Sequence, residues 1–194
     1  MAAPSPAHNR SPMYLLARRH TAVVLTALGL AAAACSPVFN WRETSIDGAD
    51  LVALLPCKPD RASRDLPLGA ESVHLTMAGC EAGDATFAVA HASASDAVQA
   101  QNWLAAWRAQ ARLQWQGAQI DEAAATVLRA AGTPAPVQFA ASRAAPDGRT
   151  AQVRIVWFAQ VERKGRVSLY QATVLGTPSA KDASTTFFEG LRLP

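Results

Sequence analysis

The chain has 194 residues, of which 50% are hydrophobic, with 18 Lys and Arg against 15 Asp and Glu. Three of the basic residues, Arg10, Arg18 and Arg19, lie in the first 34 residues, which contain no acidic residue, so residues 35–194 carry equal numbers of positive and negative side chains. The formal charge of +3 therefore comes from the amino-terminal segment. The net charge of the chain is thus no evidence for nucleic-acid binding. We expect no nucleic-acid partner.

The amino-terminal segment has the pattern of a secretory signal. Residues 21–34 are apolar or small throughout and follow the basic residues. A basic start, an apolar run of roughly 7–15 residues and small residues before the cleavage point are typical of signal peptides, which predicts one over residues 1–34. The alternatives are an ordinary signal cut nearby and an uncleaved membrane helix, for which the run is short. Met13 is a second possible start of the chain.

The residues before Cys35 resemble a bacterial lipobox, in which the cysteine is acylated and becomes the first residue of the mature protein. The resemblance rests on Leu30 and on the small residues 31–34, although Ala32 stands where the pattern prefers Leu. It implies an acyl anchor, such as palmitate, on Cys35. Because Ser36 rather than Asp follows the cysteine, it also implies sorting to the outer membrane, facing the periplasm.

Two cysteines, Cys57 and Cys80, remain if Cys35 carries lipid. The cell envelope outside the inner membrane is oxidising, and an even number of cysteines there predicts a disulfide. Closing a loop of about 24 residues stabilises the fold by about 3 kcal/mol in the chain-entropy model. Two free thiols or a metal pair are the alternatives, but no CxxC spacing or histidine cluster supports a metal site, and we predict none.

The first half of the domain shows short strand patterns. They cover residues 39–44, 51–55, 72–77 and 85–90. Pro56 stops the second of these strands. The last two are predicted to form a hairpin, with its turn around Gly79, Cys80 and Gly83.

Residues 97–116 contain no Gly or Pro and are rich in Ala, Gln, Leu and Arg, which predicts a helix capped by Ser93, Ser95 or Asp96. Its apolar face contains Leu104, Trp107 and Ala111, flanked by Trp103 and Trp115. Residues 120–130 are ambiguous: they read either as a helix from Asp121 or as a strand over residues 125–128.

The second half is predicted to be mainly β. Consecutive strands cover residues 137–142, 151–161 and 167–175, joined by turns at Pro146-Asp147-Gly148 and Lys164-Gly165. The middle strand is the most apolar and should lie inside the sheet. Residues 179–190 are predicted to form a closing helix. The fold class is therefore α+β, an antiparallel sheet packed with one long and one carboxy-terminal helix, as a single domain over residues 41–194 after a tether over residues 35–40.

The order of these elements resembles the PsbP-like α/β/α sandwich of small bacterial lipoproteins. The resemblance rests on the strand and proline turn LVALLPCKPD, on Leu169-Tyr170-Gln171 in the last strand, and on Phe187-Phe188 before Leu191-Arg192-Leu193. It covers residues 40–193 as a pattern of elements. Proteins of that fold mostly serve in binding, assembly or as accessory factors, and the resemblance carries over no site residue.

Chemistry-bearing residues are sparse. His74 and His91 are expected at the surface, although a hairpin could bring them together, and we expect no cofactor because no nucleotide or metal motif is present. Trp103, Trp107 and Trp115 could form an exposed aromatic patch for binding, or they could simply cover the sheet.

Two functions from different classes follow from these patterns. The sequence favours a non-catalytic binding or accessory protein of the bacterial cell envelope, held at the membrane by its lipid, with an envelope protein, a peptide or a glycan as partner. The alternative is a small envelope hydrolase that uses His74 or His91 in a cleft beside a carboxylate or hydroxyl group.

Overall fold

The computed structural model describes residues 38–146 and 148–194. The predicted signal peptide over residues 1–34, the predicted lipidation of Cys35, and Asp147 of the predicted turn lie outside the described residues. Among the described helices, none is long and apolar enough to cross a membrane.

Nine strands and two α-helices form the described part of the chain. In chain order they are β1 Arg42–Ser45, β2 Val52–Leu55, β3 Asp60–Leu68, β4 Glu71–Ala82, β5 Ala85–Ala94, α1 Ala97–Gln114, β6 Gln119–Ala124, β7 Val137–Ala144, β8 Thr150–Val161, β9 Val167–Gly176 and α2 Ala183–Glu189. A short 3₁₀ turn, Arg163–Gly165, joins β8 to β9. The α+β class and the two predicted helices are confirmed.

Seven of the strands form one antiparallel sheet in the order β3-β4-β5-β9-β8-β7-β6, while β1 and β2 form a separate pair. The predicted run of three consecutive strands is confirmed as β7, β8 and β9, and β8 lies inside the sheet as expected. The central pair joins β5 to β9, with Ala85 opposite Gly176 and Ala94 opposite Val167.

Helix α1 covers one face of the sheet. It begins after Asp96, whose side chain accepts a hydrogen bond from the backbone N–H of Gln99 at 2.9 Å and so caps the first turn. The buried side of the helix carries large indole rings, and the sheet beneath it includes the small residues Ala90, Ala92 and Ala94 in the same core. Small side chains on a strand leave room for bulky ones on a covering helix, which lets this layer pack densely.

The β1–β2 pair, α2 and the chain ends cover the other face. The backbone N–H of Leu54 donates to the carbonyl of Gly190 at 3.1 Å, and Val52 forms an isolated bridge with Arg192. The rings of Phe87 and Phe187 meet edge to face with centroids 5.5 Å apart. The central strands of the sheet, such as β5 and β9, are therefore covered on both faces.

The structure differs from the predictions in three places. Strand β3 was not predicted, because an edge strand with exposed residues on both faces has no apolar alternation. Strand β4 continues through Gly79 and Cys80, so the hairpin turns later, at Gly83 and Asp84. The ambiguous segment begins as strand β6, earlier than the predicted strand, and Glu122 within it is held by Arg108 and Arg112 from α1 at 2.5 and 2.6 Å.

Cys57 and Cys80 form the predicted disulfide. Cys57 follows β2, as expected, whereas Cys80 lies inside β4. The bridge therefore ties the connection between β2 and β3, and with it the smaller β-pair, to the large sheet.

Gly83 is a position at which a side chain should be poorly tolerated. Its φ is +54°, and an added Cβ would overlap the Phe39 ring and the Ser179 hydroxyl. We expect Gly83→Ala to lower the free energy of unfolding by about 2–4 kcal/mol, from backbone strain plus overpacking. Gly117→Ala is the matched control, because Gly117 has φ +79° and no atom within 4 Å of such a Cβ, so only the strain of about 1 kcal/mol applies. Equal losses in urea unfolding would contradict the contact with Phe39.

Removing the disulfide should also destabilise the fold. The double variant Cys57→Ala/Cys80→Ala should lose about 3 kcal/mol of unfolding free energy, since its unfolded chain is no longer cross-linked. Urea unfolding of the wild type with and without reductant is the internal control. A wild type that is equally stable when reduced would show that the bridge does not stabilise the fold.

Candidate functional site

A group of polar side chains is buried at one end of the sheet. His91 on β5 stands opposite Thr76 on β4 and Tyr170 on β9. His91 is 4% exposed, and Ser168 and Tyr170 are fully buried. This end, named the Glu162 end after the residue that follows β8, lies opposite the Gly83 end, where β4 turns into β5. Buried polar groups need hydrogen-bond partners, and the partners here are specific.

His91, Ser168 and Glu162 form a hydrogen-bonded chain, named here the His91 relay. The Nε2 atom of His91 lies 2.9 Å from Oγ of Ser168, and Ser168 contacts Oε1 of Glu162. An ionised carboxylate only accepts, so the one hydroxyl proton of Ser168 is donated to Glu162. Ser168 must then accept from His91, which requires a proton on Nε2. Arg166 completes the chain by donating to Oε2 of Glu162 at 2.6 Å.

The opposite edge of the His91 ring faces the turn between β1 and β2, residues 46–51. A Cβ on Gly48 would lie 3.8 Å from Cε1 and 3.9 Å from Nδ1 of His91. The Thr76 hydroxyl lies 3.4 Å from Nδ1 and donates to the carbonyl of Asp47 at 2.8 Å. Arg61 donates a hydrogen bond to Oδ1 of Asp47 in the same turn, at 2.6 Å. The 46–51 turn therefore lies over the histidine.

Burial shifts the pKa values of His91 and Tyr170, whereas hydrogen bonding shifts that of Glu162. Burial lowers the pKa of His91, while the Glu162 charge and a hydrogen bond with the Asp47 backbone partly oppose that shift. The hydrogen bond from Ser168 holds the pKa of Glu162 below its ordinary value. Burial raises the pKa of Tyr170 to about 12, so its hydroxyl stays protonated and donates to Gln160 at 3.3 Å.

Two open depressions flank the relay. The larger, of about 830 Å³, lies between the 46–51 turn and residues 162–166, and its rim includes Asp50, Glu162, Arg163 and Lys164. The smaller, of about 330 Å³, reaches His91 from the β4 side, where Ser72, His74 and Thr76 line it. Both are open to solvent, and the larger is lined mainly by charged side chains, so a polar group can bind there.

The two histidines occupy different environments. His74 is exposed, as predicted, and its Nδ1 pairs with Asp65 of β3 at 2.9 Å. The expectation that His91 lies at the surface was wrong, because β9 and the 46–51 turn bury it. The two rings have different hydrogen-bond partners, but both line the smaller depression, so the hairpin brings them to one side of the sheet. Among the described residues no group of three or more His, Cys, Asp or Glu could hold a metal ion.

The hydrogen bonds of the relay run in the wrong direction for Ser168 to act as a nucleophile. In a site with a serine nucleophile the histidine accepts the serine proton and a carboxylate orients the far side of the ring. Here the proton of Ser168 goes to Glu162, and Ser168 is fully buried. His74 has a carboxylate partner, but no hydroxyl lies within hydrogen-bond distance of its ring in the contacts of the described residues. In the described part of the chain, neither His74 nor His91 therefore activates a serine nucleophile, as the predicted hydrolase would require.

The tryptophans of α1 do not form an exposed patch. Trp103, Trp107 and Trp115 are 7%, 5% and 5% exposed and pack into the core between helix and sheet. The indole N–H of Trp103 donates to Glu71 at 3.1 Å, and Arg143 lies over the Trp115 ring at 5.0 Å. The alternative prediction, that these rings cover the sheet, is confirmed.

Sequence reasoning missed Glu162 and Ser168 as partners of His91. Ser168 is 77 residues away along the chain, so no local spacing connects it to the histidine. The available signal was the alternation of β9, in which Ser168 and Tyr170 fall on one face between apolar residues. A polar residue on the inward face of a buried strand indicates a partner within the core.

The lowered pKa of His91 predicts acid sensitivity of the fold. Below the ordinary pKa of about 6.5 the unfolded chain binds more protons at this residue than the folded one, so the unfolding free energy falls as pH drops from 7 toward the lowered pKa, by at most about 1.4 kcal/mol per pH unit. We expect His91→Gln to flatten this slope in urea unfolding between pH 7.5 and 5, and the matched control His74→Gln to retain it. Equal slopes in His91→Gln and wild type would contradict the assignment.

Comparison with known proteins assigns no family to the chain. No protein-family model matches it, and a search of curated proteins gives no match.

Proposed function

We propose that the protein is an exported, membrane-anchored lipoprotein that binds an envelope partner without catalysing a reaction. Its signal-like first 34 residues support export, and the lipobox-like residues before Cys35 support attachment to the membrane. The resemblance to PsbP-like lipoproteins, most of which are binding, assembly or accessory proteins, points to the same class of function. The observation that carries the proposal is the position of the open polar depression relative to the start of the domain.

The described chain enters the fold at the Gly83 end. The Phe39 ring packs against Gly83, and the Asn40 N–H donates to the carbonyl of Pro56 at 2.6 Å. Val38 follows Cys35 by three residues, which span at most about 11 Å when fully extended. A lipid on Cys35 would therefore hold the Gly83 end near the membrane.

The depression lies at the other end of the sheet. Strand β8 runs between the two ends and contains 12 residues. At about 3.3 Å per residue, its ends are about 36 Å apart. An anchor at the Gly83 end would thus leave the Glu162 end free in the periplasm, where a partner can reach it.

The rim of this depression is charged and exposed. Arg163 and Lys164 project at the tip of the turn, whereas the Arg166 charge is paired with Glu162. These two cations favour a partner that presents acidic groups, such as an acidic protein segment or an anionic glycan.

Site-specific photo-crosslinking in intact cells tests the proposal. A photoreactive residue at Arg163 should crosslink one defined partner, and the same residue at Lys181 should not. Lys181 is the matched control because it is also an exposed cation but lies close to Ser179, whose N–H donates to the carbonyl of Gly83 at 2.7 Å. Identical products from both positions, or none from Arg163, would contradict binding at the Glu162 end.

The anchor is tested on the same cells. Mass spectrometry of the mature amino terminus should find an acylated Cys35, and Cys35→Ala should release the protein from the membrane fraction. An unmodified Cys35 would overturn the lipoprotein part of the proposal and leave the binding part to the crosslinking result.

A further inference from the structure

The 46–51 turn separates the Nδ1 edge of His91 from solvent. Asp47, Gly48 and Asp50 are exposed on its outer side, while the His91 ring lies against its inner side. The turn is short: its ends, Ile46 and Leu51, are buried and joined by a backbone hydrogen bond of 3.0 Å, and the Ala49 N–H donates to the Ile46 carbonyl at 3.2 Å. By contrast, β4 and β9 border His91 within the continuous ladder of the large sheet. Residues 47–50 belong to no strand ladder, so they can move with less loss of structure than β4 or β9, at the cost of the hydrogen bonds of Asp47 to Thr76 and Arg61.

The neutral ring suits this enclosure and the charged ring does not. With its one proton on Nε2, neutral His91 donates to Ser168 and keeps a lone pair at Nδ1, beside the Thr76 hydroxyl. A second proton at Nδ1 would place a full charge on a ring that is 4% exposed. Burying a charge costs far more than burying a neutral polar group, unless the charge is paired or reaches water.

The surrounding charges do not cancel this cost. Glu162 favours the charged ring through Ser168, and the Asp47 carbonyl could accept from Nδ1, whereas Arg166 opposes the charge. The carboxylate of Asp47 is occupied by Arg61 at 2.6 Å. The ionisable and charged groups on the elements around the ring are Asp47 and Asp50 on the turn, Arg61 and Asp65 on β3, His74 on β4, Tyr170 on β9, and Glu162 and Arg166 beside it.

We propose that the 46–51 turn is an acid-released cover, held closed over neutral His91 and displaced when the ring gains its second proton. The ring already borders the smaller depression but is 4% exposed, and displacement of the turn opens its Nδ1 side further to water. Because the turn forms one wall of the larger depression, acidification reshapes that depression as well. The cover does not depend on any partner and goes beyond the proposed binding function.

Hydrogen–deuterium exchange of the full chain between pH 7.5 and 5.5, corrected for the intrinsic exchange rate at each pH, tests the proposal. In the wild type, protection of the peptide that contains residues 46–51 should fall on acidification, by up to about tenfold per pH unit. Peptides from β8 and β9 should keep their protection. His91→Gln should show no pH-dependent loss in the turn, and His74→Gln should lose protection as the wild type does.

Two results would overturn the cover. One is protection of the turn that is independent of pH in the wild type. The other is the same loss in His91→Gln as in the wild type, since another group would then drive the opening. If His91→Gln does not fold, NMR of the wild-type chain decides: the amide of Gly48 and the ring of His91 should titrate with one common midpoint, and different midpoints would refute the coupling.

Discussion

The pairing of β5 with β9 is the constraint on which the rest of the structure depends. It joins one antiparallel set, β3 to β5, to another, β6 to β9, and its register runs from Ala85 opposite Gly176 to Ala94 opposite Val167. A shift by one residue would move every side chain of β9 to the other face. Tyr170 and Ser168 would then face α1, and the His91 relay would not form. The same ladder therefore determines the packing of both faces and the geometry of the candidate site.

The two faces of the sheet are packed in different ways. Under α1, alanines on β5 accommodate large indoles, so the layer is apolar and dense. On the opposite face the core is apolar near Phe87 and becomes polar toward His91, where the smaller β-pair provides the cover. The polar part is compatible with burial because its groups satisfy one another. Among the described side chains, the one buried polar atom without a partner is Nε of Arg108, far from the relay in the β6 region.

Local signals in the sequence predicted most of the fold. The absence of Gly and Pro over residues 97–116 indicated α1, alternation and turns indicated β7 to β9, and the even cysteine count indicated the disulfide. Strand β3 could not be predicted because its residues are exposed on both faces. The start of β6 could not be predicted because its Glu122 is stabilised by arginines of α1. The relay could not be predicted because its members come together only through the long-range pairing of β5 with β9. The tryptophans were identified as important, but sequence alone could not decide whether they face the sheet or solvent.

The contact of Phe39 with Gly83 also defines how the domain responds to force. A pull on the chain at Val38 first loads the hydrogen bond between Asn40 and Pro56 and then the β1–β2 ladder from its Arg42 end. Those bonds are loaded one pair at a time, so β1 peels away under a smaller force than would be needed to shear strands past each other. Strand β2 stays attached, because the Cys57–Cys80 bridge and the bridge to Arg192 hold it. A pull on Val38 is thus taken up first by the small β-pair, and it reaches the seven-stranded sheet through the Cys57–Cys80 bridge to β4.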